Sequence, residues 1–97
     1  MFKMVMVAYN EAIDLEVMEA LDSCGLKNYT KVIGVFGRGE NSGTHLGNDV
    51  WPGRNNLLYA ACEEKVAKQL IASIKELRKK LSKEGIKAFV LPVEEIT

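Results

Sequence analysis

The chain has 97 residues, enough for one domain around a single hydrophobic core and too few for two independent cores. Hydrophobic residues make up 47% of the sequence and charged residues 27%, which are ordinary values for a globular protein. Thirteen basic and thirteen acidic side chains cancel at pH 7, which argues against a nucleic-acid-binding protein and against a polybasic membrane anchor.

The first half of the chain predicts a strand, a helix and a second strand. In a strand formed by residues 2–9, the side chains would alternate between two faces that are both largely apolar. This pattern predicts a strand covered on both sides. Residues 14–24 follow a helical period, with Asp14 as a suitable N-cap and Gly25 as the residue just past the end. Residues 29–37 then predict the second strand.

The second half of the chain predicts a strand, a helix and a last strand. Residues 57–62 form a short continuous apolar run, which is typical of a central strand. Residues 64–82 carry the longest helical pattern, and most of its lysines lie opposite the apolar stripe. This basic face is typical of a solvated helix surface, and an anionic partner is the alternative. Residues 86–93 predict the last strand, with Pro92 near its end.

This order of elements predicts an α+β, ferredoxin-like βαββαβ sandwich, with an antiparallel sheet and two helices on one face. We expect it to form a single domain over residues 1–97. A monomer of this fold leaves the other sheet face in water. We expect Val5, Val7 and alternate members of residues 57–62 to make that open face apolar. Such a face favours self-association.

The segment of residues 37–56 is the main functional candidate. It holds five of the eight glycines, the only histidine, His45, and the only tryptophan, Trp51. A structural hairpin needs two to five residues, so a connection of this length is typically functional or disordered. Glycine-rich backbone can approach an anion closely, and Arg38 and Arg54 at the two ends could hold a phosphate there.

The sequence gives less support to metal binding or catalysis. His45 is a candidate metal ligand, but it needs ligands such as Asp49 or residues of another subunit, and a surface histidine is the alternative. No Ser-His-Asp set or acid pair with a shared site is present, and Cys24 and Cys62 lie in apolar stretches. We therefore expect a cytoplasmic protein without enzymatic activity and without a membrane-inserted segment.

The sequence resembles the nitrogen-regulatory PII superfamily. The order of elements, the long loop before the third predicted strand and the stretch at residues 32–39, Val-Ile-Gly-Val-Phe-Gly-Arg-Gly, look like that superfamily. Residues 17–21, Val-Met-Glu-Ala-Leu, are similar to its first helix. Residues 45–47 and 50–53 look like a shorter PII-like branch sometimes associated with metal-efflux systems.

The resemblance implies a homotrimer that binds ATP or ADP in clefts between subunits. It also implies that residues 37–56 correspond to the T-loop, which docks onto a membrane transporter or a regulated enzyme. Matched residue by residue, the implied nucleotide- or anion-binding positions are Gly37, Arg38, Gly39, Ala61, Cys62, Gly85 and Lys87. The implied partner-binding positions in and beside the loop are His45, Trp51 and Arg54.

The sequence departs from the family pattern at three places. The phosphate-binding B-loop is reduced to residues 82–87, residues 37–56 contain no tyrosine for uridylylation, and we expect the family's C-terminal nucleotide-binding segment to be missing. The ligand implied by the resemblance is therefore a nucleotide or another anion. The alternative function is metal binding or metal tolerance of the CutA-like or efflux-associated PII-like type, with a divalent metal at His45.

Overall fold

A computed structural model describes residues 1–39, 43–45, 54–81 and 83–97. Two helices, one short 3-10 turn and six strands lie in these residues. In chain order they are β1 (Phe2–Asn10), the 3-10 turn (Glu11–Ile13), α1 (Asp14–Ser23), β2 (Thr30–Val35), β3 (Gly37–Gly39), β4 (Gly43–His45), β5 (Asn55–Glu63), α2 (Glu64–Lys80) and β6 (Ile86–Pro92).

The main sheet has four antiparallel strands in the order β2-β5-β1-β6. Both helices pack on one face of this sheet, where their apolar stripes share one core with alternate residues of β1 and β5. Because both long strands, β1 and β5, are central, they carry most of the buried sheet residues. The predicted α+β, ferredoxin-like sandwich is confirmed.

Residues 37–56 contain more regular structure than the sequence analysis predicts. Gly37 pairs with His45 and Gly39 with Gly43, so β3 and β4 form a small antiparallel ladder. Strand β5 begins at Asn55, two residues before the predicted start, because Asn55 and the next residue continue the pairing with β1. The predicted partner-binding residue Trp51 lies outside the described residues.

The prediction that Val5 and Val7 lie on the open sheet face is wrong. Both side chains are fully buried, and they face the helices together with their cross-strand partners Ala60 and Leu58. Alternation along a strand shows which residues share a face, but it does not show which face the helices cover. The packing of α2 over β1 and β6 decides that question.

The open face of the sheet is nevertheless apolar, with a different set of residues. Met6 at the centre of β1 has Tyr59 of β5 on one side and Phe89 of β6 on the other. Met4 is paired with Leu91 in the same way. Phe89 is 46% exposed and Leu91 is 44% exposed, so large apolar side chains face water in the single chain. This face is therefore the surface that favours self-association.

The two ends of α1 show how well local patterns predict caps. At the C-terminal end, Gly25 has φ of 72°, and its N–H donates to Asp22 while the N–H of Leu26 donates to Leu21. This is the hydrogen-bond pattern of a Schellman motif, so the predicted role of Gly25 is confirmed. The predicted N-cap role of Asp14 is wrong, because a 3-10 turn capped by Asn10 precedes the helix.

Candidate functional site

Four strand termini meet at one end of the main sheet, here called the loop end. There, β1 and β2 finish while β5 and β6 begin. The N–H of Asn10 donates to the carbonyl of Gly85 at 2.9 Å, and the N–H of Glu11 donates to the carbonyl of Arg54 at 2.8 Å. These two consecutive amides hold the residues that precede β6 and β5 beside each other.

A β-bulge shapes the base of residues 37–56. The pairing of β2 with β5 runs to Val32 and resumes at Val35, so Ile33 and Gly34 both lie opposite Asn56. Gly34 has φ of 66°, a conformation that favours glycine, and its N–H donates to the Asn56 side-chain oxygen at 3.3 Å. Arg54 lies over this glycine, because a Cβ there would be 3.6 Å from its guanidinium. The bulge therefore bends the end of β2 against Arg54.

A polar cluster beneath the bulge, here called the Asp14 network, ties four elements together. Asp14 Oδ1 accepts a hydrogen bond from the Tyr9 hydroxyl at 2.6 Å and one from the Asn56 amide at 3.3 Å. Lys31 Nζ lies 3.2 Å from both carboxylate oxygens. Asn56 is only 4% exposed, so its hydrogen bonds offset the cost of burying a polar side chain. The network joins β1, α1, β2 and β5 directly below the loop end.

The electrostatics of the Asp14 network indicate a structural role. Burial raises the pKa of Asp14, but hydrogen bonds from Tyr9 and Lys31 and the positive charge of Lys31 outweigh it, so the pKa is held below its ordinary value. Burial and the hydrogen bond to Asp14 raise the pKa of the Tyr9 phenol well above its ordinary value. Neither group changes charge near neutral pH, where a general acid or base would need to titrate.

We expect Asp14→Asn to destabilise the fold by about 1 kcal/mol at pH 7, because it removes the negative charge and one of the two oxygens that accept hydrogen bonds from Lys31 at this partly exposed site. The pKa of Asp14 is lower in the folded chain than in the unfolded chain, so the ionised carboxylate stabilises the fold at pH values above its unfolded pKa. This stabilisation is lost as the pH falls through the pKa that Asp14 has in the folded chain. The free energies of unfolding of the variant and the unaltered chain, measured in urea, should therefore converge as the pH falls below about 4, the ordinary pKa of an aspartate.

The control for this experiment is Asp22→Asn, which removes an exposed carboxylate from the same helix. We expect it to change the free energy of unfolding by less than about 0.5 kcal/mol at either pH. An Asp14→Asn difference that stays the same at pH 7 and at low pH would contradict a role for the charge.

Most of the sequence-predicted site residues lie at the loop end. Gly37 begins β3 against Asn55, and a Cβ on this glycine would collide with the Asn55 side-chain amide. Arg38 and Gly39 continue the same strand. The other three are Arg54, Gly85 and the exposed Lys87, which pairs with Ala8 two residues after Gly85.

Two of the predicted residues lie at the other end of β5. Ala61 pairs with Met4 and Cys62 with Lys3, so both are about 20 Å along the strand from Asn55. Cys62 is buried, and this burial raises the pKa of its thiol. Within one chain, Ala61 and Cys62 therefore do not join the residues of the loop end.

Predicted metal chemistry rests on His45, whose backbone lies in β4 and whose side chain is outside the described part of the chain. Among the residues that were described, no three His, Cys, Asp or Glu side chains are grouped as a metal site requires. His45 therefore remains a predicted ligand. In the same residues, no helix is both long and apolar enough to span a bilayer.

The sequence analysis did not predict the Asp14 network. The sequence did contain a sign of it, because Lys31 and Asn56 are polar residues at inward-facing positions of otherwise apolar strands. An inward polar side chain usually has a buried partner. Spacing along the chain could not identify that partner as Asp14, which is 42 residues away from Asn56.

The chain matches one protein family over nearly its whole length. A family model described as nitrogen regulatory protein P-II matches residues 2–97. No curated protein sequence gives a significant match.

Solved structures that share the fold include those of three proteins. CPII, a nitrogen regulatory PII-like protein from Thiomonas intermedia K12 bound to ADP, AMP and bicarbonate, has a TM-score of 0.73 at 20% identity, covering 97% of this chain and 89% of its own. A PII-like protein from Thermus thermophilus has a TM-score of 0.67 at 24% identity, covering 92% and 83%. A protein of unknown function from Pediococcus pentosaceus has a TM-score of 0.65 at 14% identity, covering 99% and 95%.

Proposed function

Because the chain belongs to the nitrogen regulatory protein P-II family, we propose that it is a homotrimeric regulator that senses a nucleotide or another anion and acts on a partner through residues 37–56. We take it to be a single cytoplasmic domain over residues 1–97 that catalyses no reaction, with a membrane transporter or an enzyme as the regulated partner. The observation that carries the proposal is the apolar open face of the sheet, because burying such a face against other subunits is favourable in water.

Self-association through the open face would also complete a ligand site. The predicted binding residues are divided between the loop end, with Gly37, Arg38, Gly85 and Lys87, and the opposite end of β5. One chain cannot enclose a ligand with both groups, because they are about 20 Å apart along the strand. A cleft between two copies could combine the loop end of one with the far strand end of its neighbour.

The chemistry of the loop end supports an anionic ligand. Arg54 and Lys87 are exposed cations there, and Arg38 adds a third basic residue, against the carboxylate of Glu11. Guanidinium groups bind phosphate and carboxylate groups through paired hydrogen bonds. CPII of Thiomonas intermedia, which shares the fold, was bound to ADP, AMP and bicarbonate, and all three are anions.

Calorimetric titration with ATP, ADP, AMP and bicarbonate tests the proposal. We expect at least one of them to bind, and Arg38→Ala or Lys87→Ala should weaken that binding by about tenfold to a hundredfold, the effect of losing one charge-assisted hydrogen bond. Lys75→Ala is the control, because Lys75 is exposed in the middle of α2, away from both ends of β5, and the affinity should stay unchanged.

Two results would contradict this assignment. Binding that is indifferent to both Arg38→Ala and Lys87→Ala would show that the ligand does not use the loop end. Binding of zinc or copper that His45→Ala abolishes, without binding of any phosphate compound or bicarbonate, would favour the alternative metal-binding function.

A further inference from the structure

A groove runs along α2 on the helix side of the sheet, beside the edge strand β6. Its volume is about 490 Å³, and its apolar lining comes from Ala67, Ile71 and Ala72 of α2 and from Val90 of β6. Val90 points to the same side as the buried Val5, its cross-strand partner, yet it is 45% exposed. The two helices therefore leave part of β6 uncovered.

The rim of this groove carries an excess of positive charge. Lys3, Lys68 and Lys75 line it, with Glu64 as the one carboxylate. Glu64 lies 3.7 Å from Lys3, so these two charges partly cancel. Lys68 and Lys75 form no ion pair within the described part of the chain. They are seven residues apart on α2, which places their Cα atoms about 10 Å from each other along the helix axis.

The charges of the chain are segregated between the helices, although the net charge is zero. Helix α2 carries six basic residues and two acidic ones, whereas α1 carries four acidic residues and no basic one. The groove lies on the far side of α2 from α1, because β6 forms its other wall. The acidic side chains of α1 are therefore poorly placed to neutralise its lysines.

The charge and shape of the groove indicate what kind of molecule could bind there. A single anionic head group would reach only one of the two groove lysines of α2, Lys68 and Lys75, whose positions are about 10 Å apart along the helix. A helix lying beside α2 would present one carboxylate per heptad at the spacing of Lys68 and Lys75. The small side chains of Ala67 and Ala72 let such a helix approach closely. The apolar residues line a groove and do not form the projecting apolar face with which an amphipathic helix inserts into lipid, which favours a protein helix over a lipid surface.

We propose that the groove between α2 and β6 is a docking site for an acidic amphipathic helix of a partner protein. It lies on the opposite face of the sheet from the apolar open face, so self-association through the open face leaves it accessible. It is also distinct from the loop end, since it starts at the opposite end of α2. The chain would then have a second contact surface for partners.

The experiment measures binding of a fluorescein-labelled three-heptad peptide, with Leu and Ala on one face and Glu at seven-residue spacing, by fluorescence anisotropy. We expect saturable binding to the full chain and none for a scrambled peptide of the same composition. The double variant Lys68→Glu/Lys75→Glu should raise the Kd by at least about tenfold. The control is Lys65→Glu/Lys79→Glu, which makes the same charge change on α2 outside the groove and should raise it by less than about threefold.

A second variant tests shape at constant charge. Ala72→Trp fills the groove from an exposed position, so the chain should keep its circular dichroism spectrum while losing the peptide. Equal losses for both charge-reversal pairs, unchanged affinity in Ala72→Trp, or no binding of the acidic peptide would each overturn the proposal. Binding to phosphatidylglycerol vesicles without binding to the peptide would also overturn it and indicate a lipid ligand instead.

Discussion

The Met6→Asp variant is expected to sediment as a folded monomer, whereas the unaltered chain is expected to sediment as a trimer. Met6 lies at the centre of the open face, between Tyr59 and Phe89 on the neighbouring strands. In a single chain it is only partly buried, so a carboxylate there keeps contact with water. In the proposed trimer, the same carboxylate would be buried without a partner in every subunit, at a cost of about 3–5 kcal/mol each.

Sedimentation velocity at micromolar concentration, together with circular dichroism, measures assembly and folding separately. Met6→Leu is the matched control, because it keeps the size and the apolar character of the side chain and should leave the trimer intact. A Met6→Asp protein that remains trimeric would show that the open face is not the interface. An unaltered chain that is monomeric would reject the proposed assembly itself.

The Val7→Asp variant is expected not to fold. Val7 is the next residue of the same strand, but it is fully buried against the helix side of the sheet, opposite Leu58. A carboxylate at this position would lie in the core with no partner, and we expect it to destabilise the fold by more than about 4 kcal/mol. That is a large fraction of the roughly 5–15 kcal/mol that stabilises a typical domain.

Circular dichroism and urea unfolding measure this effect. Val7→Ala, which removes two methyl groups and adds no charge, is the control and should cost about 2 kcal/mol while the chain still folds. The two neighbouring variants should therefore give different results: Met6→Asp should remain folded but lose its assembly, whereas Val7→Asp should not fold. A folded Val7→Asp protein that has lost only its assembly would instead place Val7 on the open face.

Much of the fold could be predicted because its signals are local. Helical spacing of apolar residues located α1 and α2 to within two residues of their ends, and Gly25 was correctly placed at the end of α1. The glycines and basic residues of the segment 37–56 indicated the loop end, where Gly37 and Arg54 do lie. These predictions needed only the period of a helix and the backbone freedom of glycine.

Other features were not predictable from local patterns. Asp14 has the position and side chain of an N-cap, yet it binds Tyr9, Lys31 and Asn56. Its partners come from three different strands, and only the assembled sheet brings them within hydrogen-bond distance. The separation of Ala61 from the loop end likewise follows from the antiparallel register of β5 with β1.

The sequence by itself determined the order of elements, the ferredoxin-like class and the presence of two apolar sheet faces. Only the tertiary structure decided that Val5 and Val7 face the helices while Met4 and Met6 remain open. The physical reason is that a two-residue period sorts side chains into two sets without distinguishing them when both are apolar. Packing breaks this symmetry, because α2 docks on one face of β1 and buries only that set.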